Sequence, residues 1–240
     1  MSEGPARDGA DRGQDFVKYT FYRLLPEWRR LPEAERARGR AALVAVLEHP
    51  PEGLVVRTYS LVGLKAGVDF LVWSVGPALA DLMTLHARIA GTPLGGYLEV
   101  PYAYFGLGRL SEYVGEHAAG GEGATARRRP SGRPYLFVYP FTKKREWYAL
   151  PFEERRRIMG EHLRVGHKYR SVEIHTGYSF GLDDAEFILA FEADAPGVFL
   201  DLVHDLRPSE ASRYTELETP IFTCVLAPPA RVVELAEGIP

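Results

Sequence analysis

The chain has 240 residues, of which 46% are hydrophobic and 25% charged, and this is enough apolar material for one large domain or two small ones. Its formal net charge of −3 excludes a general binder of nucleic acid or anionic membrane, because such proteins need clustered lysine and arginine without compensating acids. A single cysteine, Cys224, excludes an internal disulfide and favours a reducing, cytoplasmic compartment.

The N-terminal residues 1–14 contain no apolar run, so we expect a disordered tail there rather than a signal peptide. No uncharged apolar stretch elsewhere approaches the roughly 20 residues that a membrane-spanning helix needs. The sequence therefore predicts a protein without a membrane span.

Residues 15–110 alternate between strand and helix patterns. A proline followed by acidic residues at 32–35 marks the start of the first helix, because proline lacks the amide hydrogen that would go unpaired there. In chain order the predicted elements are a strand at 16–21, a helix at 33–47, strands at 58–63 and 70–73, a helix at 77–89 and a strand at 102–105. This order is the ferredoxin-like β-α-β-β-α-β pattern.

Residues 133–230 repeat the same order at an offset of about 119 residues. Between the two units, residues 111–132 are rich in Gly, Ala, Arg and Glu and are predicted to form a flexible linker. The second unit has a strand at 135–141, a helix at 152–166, strands at 176–181 and 187–191, a helix at 196–206 and a strand at 220–223. We predict an α+β fold in which the antiparallel sheets of two ferredoxin-like repeats form a dimeric α+β barrel.

The differences between the two repeats point to function, because packing needs are shared whereas a functional residue is required in only one copy. With the two units aligned on Trp28 and Trp147, three residues of the second unit have no chemical counterpart in the first. They are His162 in place of Leu43, Lys143 in place of Leu24 and Tyr139 in place of Thr20.

His162 shares a predicted helix face with apolar residues, so it is either a buried histidine bonded to a carbonyl or a metal ligand. A haem site needs one axial donor, an apolar lining and cations for the propionates. The second unit offers His162, aromatic residues, and Lys143 with Arg129. Taken singly, the aromatic residues are also explained by core packing and Lys143 by a solvated strand end. The aromatic residues in question are Phe137, Phe141, Trp147, Phe180 and Phe187.

The second unit also resembles the chlorite dismutase-like family, and most closely its coproheme decarboxylase branch. The resemblance rests on Tyr-Pro-Phe-Thr-Lys at 139–143, Trp-Tyr-x-Leu-Pro-Phe-Glu-Glu-Arg at 147–155, Met-x-x-His at 159–162 and Gly-Leu-Asp-Asp-x-Glu-Phe at 181–187. It implies a non-covalently bound iron porphyrin, haem b or coproheme, and a homopentameric assembly. The absence of a CxxCH motif agrees with non-covalent binding.

The resemblance also implies roles for single residues. His162 would be the proximal iron ligand, Tyr139 a redox-active residue that attacks the propionates, and Lys143 a propionate contact. Trp147 would lie in the pocket wall. Phe141, one of the aromatic residues named above, is a further candidate contact of the porphyrin. Glu210 resembles an acidic residue near the proximal histidine, where a carboxylate that accepts from the imidazole would strengthen it as a donor.

The distal side departs from the family pattern, because chlorite dismutases resemble one another in having an arginine there and this strand has none. Strand alternation puts Ile174 and His175 on opposite faces, so one of them faces the iron. His175 there would act on peroxide as a catalytic base or bind the iron, whereas Ile174 would make the distal side apolar. A half-exposed strand histidine is the simpler alternative for His175.

Arg127, Arg128 and Arg129 are the candidate cations for propionates, and the distal histidine of one family branch would fall near Glu122. The resemblance thus implies peroxide-dependent oxidative decarboxylation of coproheme III to haem b, with iron porphyrin and hydrogen peroxide as partners. The alternatives are a chlorite dismutase or peroxidase, and a haem-binding sensor or carrier without catalysis.

Overall fold

The computed structural model describes residues 14–109, Tyr113 and residues 129–240. Three segments lie outside this range, namely residues 1–13 of the predicted tail and residues 110–112 and 114–128 in and beside the predicted linker. The candidate residues Glu122, Arg127 and Arg128 belong to the last of these segments. Within the described residues, no helix has both the length and the apolar character needed to cross a membrane.

The first repeat contains four strands and two helices. They are β1 (Phe16–Leu24), α1 (Glu33–Glu48), β2 (Val55–Ser60), β3 (Phe70–Gly76), α2 (Leu79–Ala90) and β4 (Leu98–Gly108). The second repeat contains β5 (Tyr135–Lys143), α3 (Arg145–Ala149), α4 (Phe152–Gly166), β6 (Val172–Tyr178), β7 (Phe187–Ala193), α5 (Pro196–Leu206), β8 (Thr215–Leu217) and β9 (Phe222–Leu226). A last helix, α6 (Pro229–Glu237), follows.

The strands form one sheet in the order β7-β6-β4-β1-β3-β2-β9-β5-β8, and β5 also pairs with β7. Because β5 joins the first strand in this order to the last but one, eight antiparallel strands close into a barrel, with β8 added at its side. The two repeats meet at β4–β6 and at β2–β9. This architecture confirms the predicted α+β barrel built from two ferredoxin-like units.

Strand alternation divides the apolar side chains between the barrel interior and the outer faces, which the helices cover. One buried cluster inside the barrel contains residues of both repeats, among them Tyr19, Trp73, Val138 and Phe222. The outer face of the first repeat packs against α1, α2 and α6, and that of the second against α5. The two outer faces are therefore separate environments, and the residues that differ between the repeats lie on them.

Several strand boundaries differ from the prediction. β2 and β6 end at Ser60 and Tyr178, three residues before the predicted ends. The residues beyond them form turns, in which Gly63 and Gly181 adopt positive φ angles of 77° and 71°. The alternating pattern continued into these turns, so it could not mark where the backbone leaves the sheet.

Helix α6 was not predicted, and it packs on the first repeat rather than the second. The buried carboxylate of Glu237 accepts a hydrogen bond from the Trp28 indole at 2.5 Å and one from Arg40 at 2.6 Å. The C-terminal helix therefore covers the outer face of the first repeat and fixes Trp28 in place.

Gly39 on α1 lies against Trp28, and a Cβ added there would meet the Trp28 ring 2.4 Å away. We expect Gly39→Ala to lower the free energy of unfolding by about 1–3 kcal/mol, because overpacking outweighs the gain in helix propensity. Urea unfolding measures this. Gly160→Ala on α4 is the matched control, since nothing lies within 4 Å of its added Cβ, and it should leave stability unchanged or raise it. Equal effects of the two substitutions would contradict the packing argument.

Candidate functional site

His162 lies on α4 and is partly buried. Burial lowers the pKa of its imidazole to about 4, and the nearby Lys143 ammonium acts in the same direction. The ring is therefore neutral at pH 7, and within the described residues no hydrogen bond occupies its nitrogens. A neutral imidazole with a free lone pair is able to bind a metal.

Lys143 ends β5 and is held in an aromatic setting. Its ammonium lies 4.6 Å from the centroid of the Trp147 ring and 5.4 Å from that of Phe141, and it donates to the Ala211 carbonyl at 3.1 Å. Burial lowers the pKa of Lys143 to about 8, although the Glu186 carboxylate opposes this shift. The side chain is thus a desolvated cation whose charge is sensitive to pH near neutrality.

Glu186 supports this arrangement, and its role was not predicted. Its buried carboxylate accepts the backbone N–H of Lys143 at 2.8 Å and the hydroxyl of Tyr148 at 2.5 Å. The carboxylate thus joins the start of β7 to the end of β5. The Asp-Asp-x-Glu-Phe motif contains this residue, but only the fold reveals its partners.

Tyr139 lies two positions before Phe141 and four before Lys143, so all three share the outer face of β5. Its ring stacks on Phe191 with centroids 5.8 Å apart. Burial raises the pKa of the phenol, and the Glu218 charge raises it further, whereas Arg207 lowers it. Tyr139 is therefore a protonated phenol at pH 7.

Arg207 is a second residue that sequence analysis missed. It lines a cavity of about 640 Å³ together with Lys168, His204, Asp205 and Pro208. Its guanidinium forms an ion pair with Glu218. Arg207 directly follows α5 and is exposed, and its charge lowers the pKa of Tyr139.

The sheet places Ile174, and not His175, on the face of Tyr139. Ile174 pairs with Phe191 and packs in the outer cluster of the second repeat. His175 points into the barrel, where its Nε2 lies 2.8 Å from the Glu192 carboxylate and its ring meets Trp73 edge-on at 5.0 Å. A catalytic place for His175 beside the metal thus disagrees with the structure, because a fully buried carboxylate holds the ring on the other face of the sheet.

The expected link between Glu210 and His162 is also absent from the described residues. The Glu210 carboxylate instead accepts from Arg157 at 2.7 Å, and Arg157 is paired with Glu154 as well. The role expected for Glu210 as an acceptor for the imidazole therefore does not agree with the structure. Glu210 joins the 3-10 turn Glu210–Tyr214 to α4 and so supports the helix that carries His162.

Trp147 is 2% exposed and packs between Tyr113 and Tyr214, with ring centroids at 6.2 Å and 5.3 Å. Trp147 is therefore a core residue of the second repeat, and its ring also contacts the Lys143 ammonium. Arg129 is exposed at the start of the described C-terminal part. No contact of Arg129 connects it with the other candidate residues in the described structure.

The comparisons with known proteins concern the family and the fold of the chain. A family model described as chlorite dismutase matches residues 26–227. A coproheme decarboxylase from Mycolicibacterium smegmatis is 37% identical over 174 residues, which are 72% of this chain and 73% of that protein. A chlorite dismutase variant from Candidatus Nitrospira defluvii superposes with a TM-score of 0.84 at 25% identity, covering 93% of this chain and 95% of its own.

A haem-binding protein from Thermus thermophilus also superposes with a TM-score of 0.84, over the same shares of the two chains. Its sequence identity is 22%, so this likeness concerns the fold alone.

Proposed function

Since the chain belongs to the chlorite dismutase family, we propose that it is an enzyme that uses hydrogen peroxide to decarboxylate coproheme to haem b. The observation that carries this proposal is the buried, protonated Tyr139 on the same sheet face as Lys143 and Ile174. The relative from M. smegmatis named coproheme decarboxylase supports the same substrate.

The residues present fit an iron porphyrin, because His162 is a neutral donor without a hydrogen bond among the described residues and Lys143 is a desolvated cation near it. Arg207 is an exposed cation whose charge acts on Tyr139. His162 would bind the iron, while Lys143 and Arg207 would pair with propionates. Ile174 and Phe141 would line the pocket and exclude water. When bound, the iron porphyrin supplies the centre that reacts with peroxide.

Tyr139 would carry the oxidation to the propionate. The phenol would give up one electron and its proton, and the resulting phenoxyl oxygen would take a hydrogen atom from the propionate side chain. Loss of one further electron from that side chain would release CO2 and leave a vinyl group. Hydrogen peroxide is the oxidant that takes up both electrons, and it is reduced to two molecules of water. Burial favours this role, because a neutral phenol in an apolar site is shielded from solvent until it reacts.

The chemistry of the distal position argues against chlorite as the substrate. Ile174 offers neither a charge nor a hydrogen bond to an oxyanion, and stabilising a developing anion requires such donors. We therefore expect no oxygen release when chlorite is added to the porphyrin-loaded protein.

The proposed reaction is tested by loading the purified protein with ferric coproheme under anaerobic conditions and adding hydrogen peroxide in small steps. Mass spectrometry of the porphyrin should show the successive loss of two carboxyl groups. Binding without a change in mass would support a sensor or carrier instead, and failure to bind any porphyrin would contradict both functions.

Lys143 should make porphyrin binding depend on pH. Its ammonium is charged below a pKa of about 8 and becomes neutral above it, so coproheme affinity should fall by up to about tenfold between pH 8 and pH 9. A titration followed by absorbance measures this. Lys143→Met should flatten the profile, whereas Lys144→Met, on the exposed neighbour, should keep it. An unchanged profile in the Lys143 variant would exclude the contact.

We also propose, from membership of the family, a cytoplasmic homopentamer. Sedimentation equilibrium of the purified protein measures the assembly, and a monomer would contradict it.

A further inference from the structure

The outer face of the sheet is less covered in the second repeat than in the first. In the first repeat, Phe70 and Val72 of β3 point to this face and are 1% and 0% exposed. Their counterparts on β7, identified by how each strand pairs with the first strand of its repeat, are Phe187 and Leu189. Both counterparts are only partly buried. Among the described residues, the second repeat therefore packs less tightly over this face than the first.

The helix above this face is also packed differently in the two repeats. In the first repeat, Leu43 of α1 belongs to the same buried cluster as Phe70 and Val72 of the sheet. In the second repeat, the sheet face forms one cluster, whereas Ile158 of α4 belongs to another. Since α4 joins β5 to β6, and β7 lies between these two strands, α4 passes over β7. An iron porphyrin bound to His162 would therefore lie between α4 and the strands β6 and β7.

Thr176 faces this space from β6. The next residue, Gly177, points into the barrel, where an added Cβ would meet the Val17 side chain, so Thr176 points outward. Thr176 pairs with Leu189, which in turn pairs with Tyr139. Neighbouring strands are about 4.8 Å apart, so the backbones of Thr176 and Tyr139 are separated by roughly 10 Å. A porphyrin carries its propionates at the rim and its iron at the centre, so with a propionate at Tyr139 the iron would lie toward Thr176.

Thr176 has a counterpart with the same side chain in the first repeat. Thr58 pairs with Val72 on β3 as Thr176 pairs with Leu189 on β7. Thr58 is buried, and its hydroxyl donates to the Ala227 carbonyl at 2.6 Å. Thr176 is only partly buried, and among the described residues no hydrogen bond occupies its hydroxyl. A structural hydrogen bond thus explains the hydroxyl of Thr58 but not that of Thr176.

The other outward side chains of β6 and β7 are less suited to donate a hydrogen bond there. Tyr178 is the next outward residue of β6, and its ring is already engaged, with centroids 5.3 Å from that of Phe187 and 5.9 Å from the Arg109 guanidinium. Within these two strands, Thr176 is therefore the hydroxyl that lies opposite Tyr139 and beside Ile174. The remaining outward side chains of the two strands are apolar, namely Val172, Ile174, Phe187, Leu189, Phe191 and Ala193.

We propose that the Thr176 hydroxyl donates a hydrogen bond to the hydrogen peroxide that reacts at the iron, and that Thr176 is thus a catalytic residue of the distal side. This inference rests on the proposed function, which supplies the porphyrin and the peroxide. One well-placed donor in an otherwise apolar pocket fixes the orientation of a small ligand. The hydroxyl keeps its proton throughout, so it orients peroxide and does not act as a base. Because it is uncharged, it gives chlorite no electrostatic attraction, in agreement with the expected lack of oxygen release.

The test compares Thr176→Val, which removes the hydroxyl but keeps the shape of the side chain, with Thr176→Ser, which keeps the hydroxyl. Thr223→Val is the matched control, because Thr223 is a partly buried threonine on the same outer face that pairs with Phe137 on the far side of β5. Each protein is loaded with ferric coproheme and titrated with fluoride, a small anion that binds ferric iron and accepts hydrogen bonds. Absorbance then measures the fluoride affinity without any turnover.

We expect Thr176→Val to weaken fluoride affinity by about 3- to 10-fold, which is the effect of losing one hydrogen bond. Thr176→Ser and Thr223→Val should match wild type. In Thr176→Val the KM for peroxide should rise by a similar factor, while coproheme affinity and thermal unfolding stay unchanged. Equal fluoride affinity in Thr176→Val and wild type would overturn the proposal. A Thr176→Ser protein as weak as Thr176→Val would also overturn it, because the shape of the side chain and not its hydroxyl would then matter.

Coproheme decarboxylation, assayed on the same proteins, separates this inference from the proposed function. Equal fluoride affinity in proteins that decarboxylate coproheme would overturn the role of Thr176 alone. The expected loss of fluoride affinity in proteins that leave coproheme intact would overturn the enzyme function alone. A protein that takes up no porphyrin would overturn both.

Discussion

Replacing Tyr139 by phenylalanine should abolish the decarboxylation of coproheme while leaving its binding nearly unchanged. The substitution removes only the hydroxyl, so the ring stays stacked on Phe191 and the outer face of β5 keeps its packing. Because the proposed reaction begins with oxidation of that hydroxyl, we expect kcat to fall by at least about 1000-fold. Mass spectrometry of the porphyrin after peroxide addition measures this.

Tyr135→Phe is the matched control for that experiment. Tyr135 lies four positions earlier on the same face of the same strand and packs against the same buried cluster. The Tyr135→Phe variant should decarboxylate coproheme at the wild-type rate, since no step is assigned to the Tyr135 hydroxyl. A Tyr139→Phe protein that still removes both carboxyl groups would disprove the role of Tyr139 while leaving the porphyrin site intact.

The fold was predictable because the sequence repeats itself. Two copies of one β-α-β-β-α-β order are a stronger signal than any single element, and the pattern within each copy has the right period for its helices and strands. The repeat also identified Tyr139, Lys143 and His162 as residues without a packing counterpart. Among the described residues helix α6 has no copy in the first repeat, and the comparison of the repeats did not reveal it.

The sequence could not predict which residues of β6 point into the barrel and which point outward. Alternation indicates which side a residue faces only when one side is polar, but here the inner face is buried in the barrel and the outer face is covered by helices. Ile174 and His175 were therefore equally acceptable on either side. Glu192, seventeen residues away on β7, holds His175 inside, and this pairing exists only once the sheet has formed.

Glu186 and Arg207 were missed for a related reason. Each acts on a residue of β5 from a distant part of the chain, Glu186 through the backbone of Lys143 and Arg207 through its charge near Tyr139. A pattern along the chain identifies types of residue, whereas these contacts depend on how two elements pack. The residue types of the site could thus be predicted from β5 and α4, whereas Glu186 and Arg207, which act on those residues, could not.

His162→Leu should abolish binding of the iron porphyrin through its proximal ligand without unfolding the protein. Leu43 occupies the equivalent position on α1, where it is fully buried, so the fold already accepts a leucine there. Burial of a neutral imidazole costs stability that a leucine does not, and thermal unfolding of the variant should be unchanged or occur at a higher temperature. Loss of the only assigned protein ligand should weaken coproheme affinity by on the order of 100-fold or more.

The control for this variant is His167→Leu, an exposed residue that follows α4 directly. Absorbance and electron paramagnetic resonance spectra of the ferric complex should show axial imidazole in wild type and in His167→Leu, and lose it in His162→Leu. In His162→Ala, where the smaller side chain leaves room for the ring, added free imidazole should restore the spectrum. A stable His162→Leu protein that keeps both affinity and spectrum would show that another residue holds the iron. Because Tyr139→Phe spares binding and His162→Leu abolishes it, the pair separates the residue that reacts from the residue that binds.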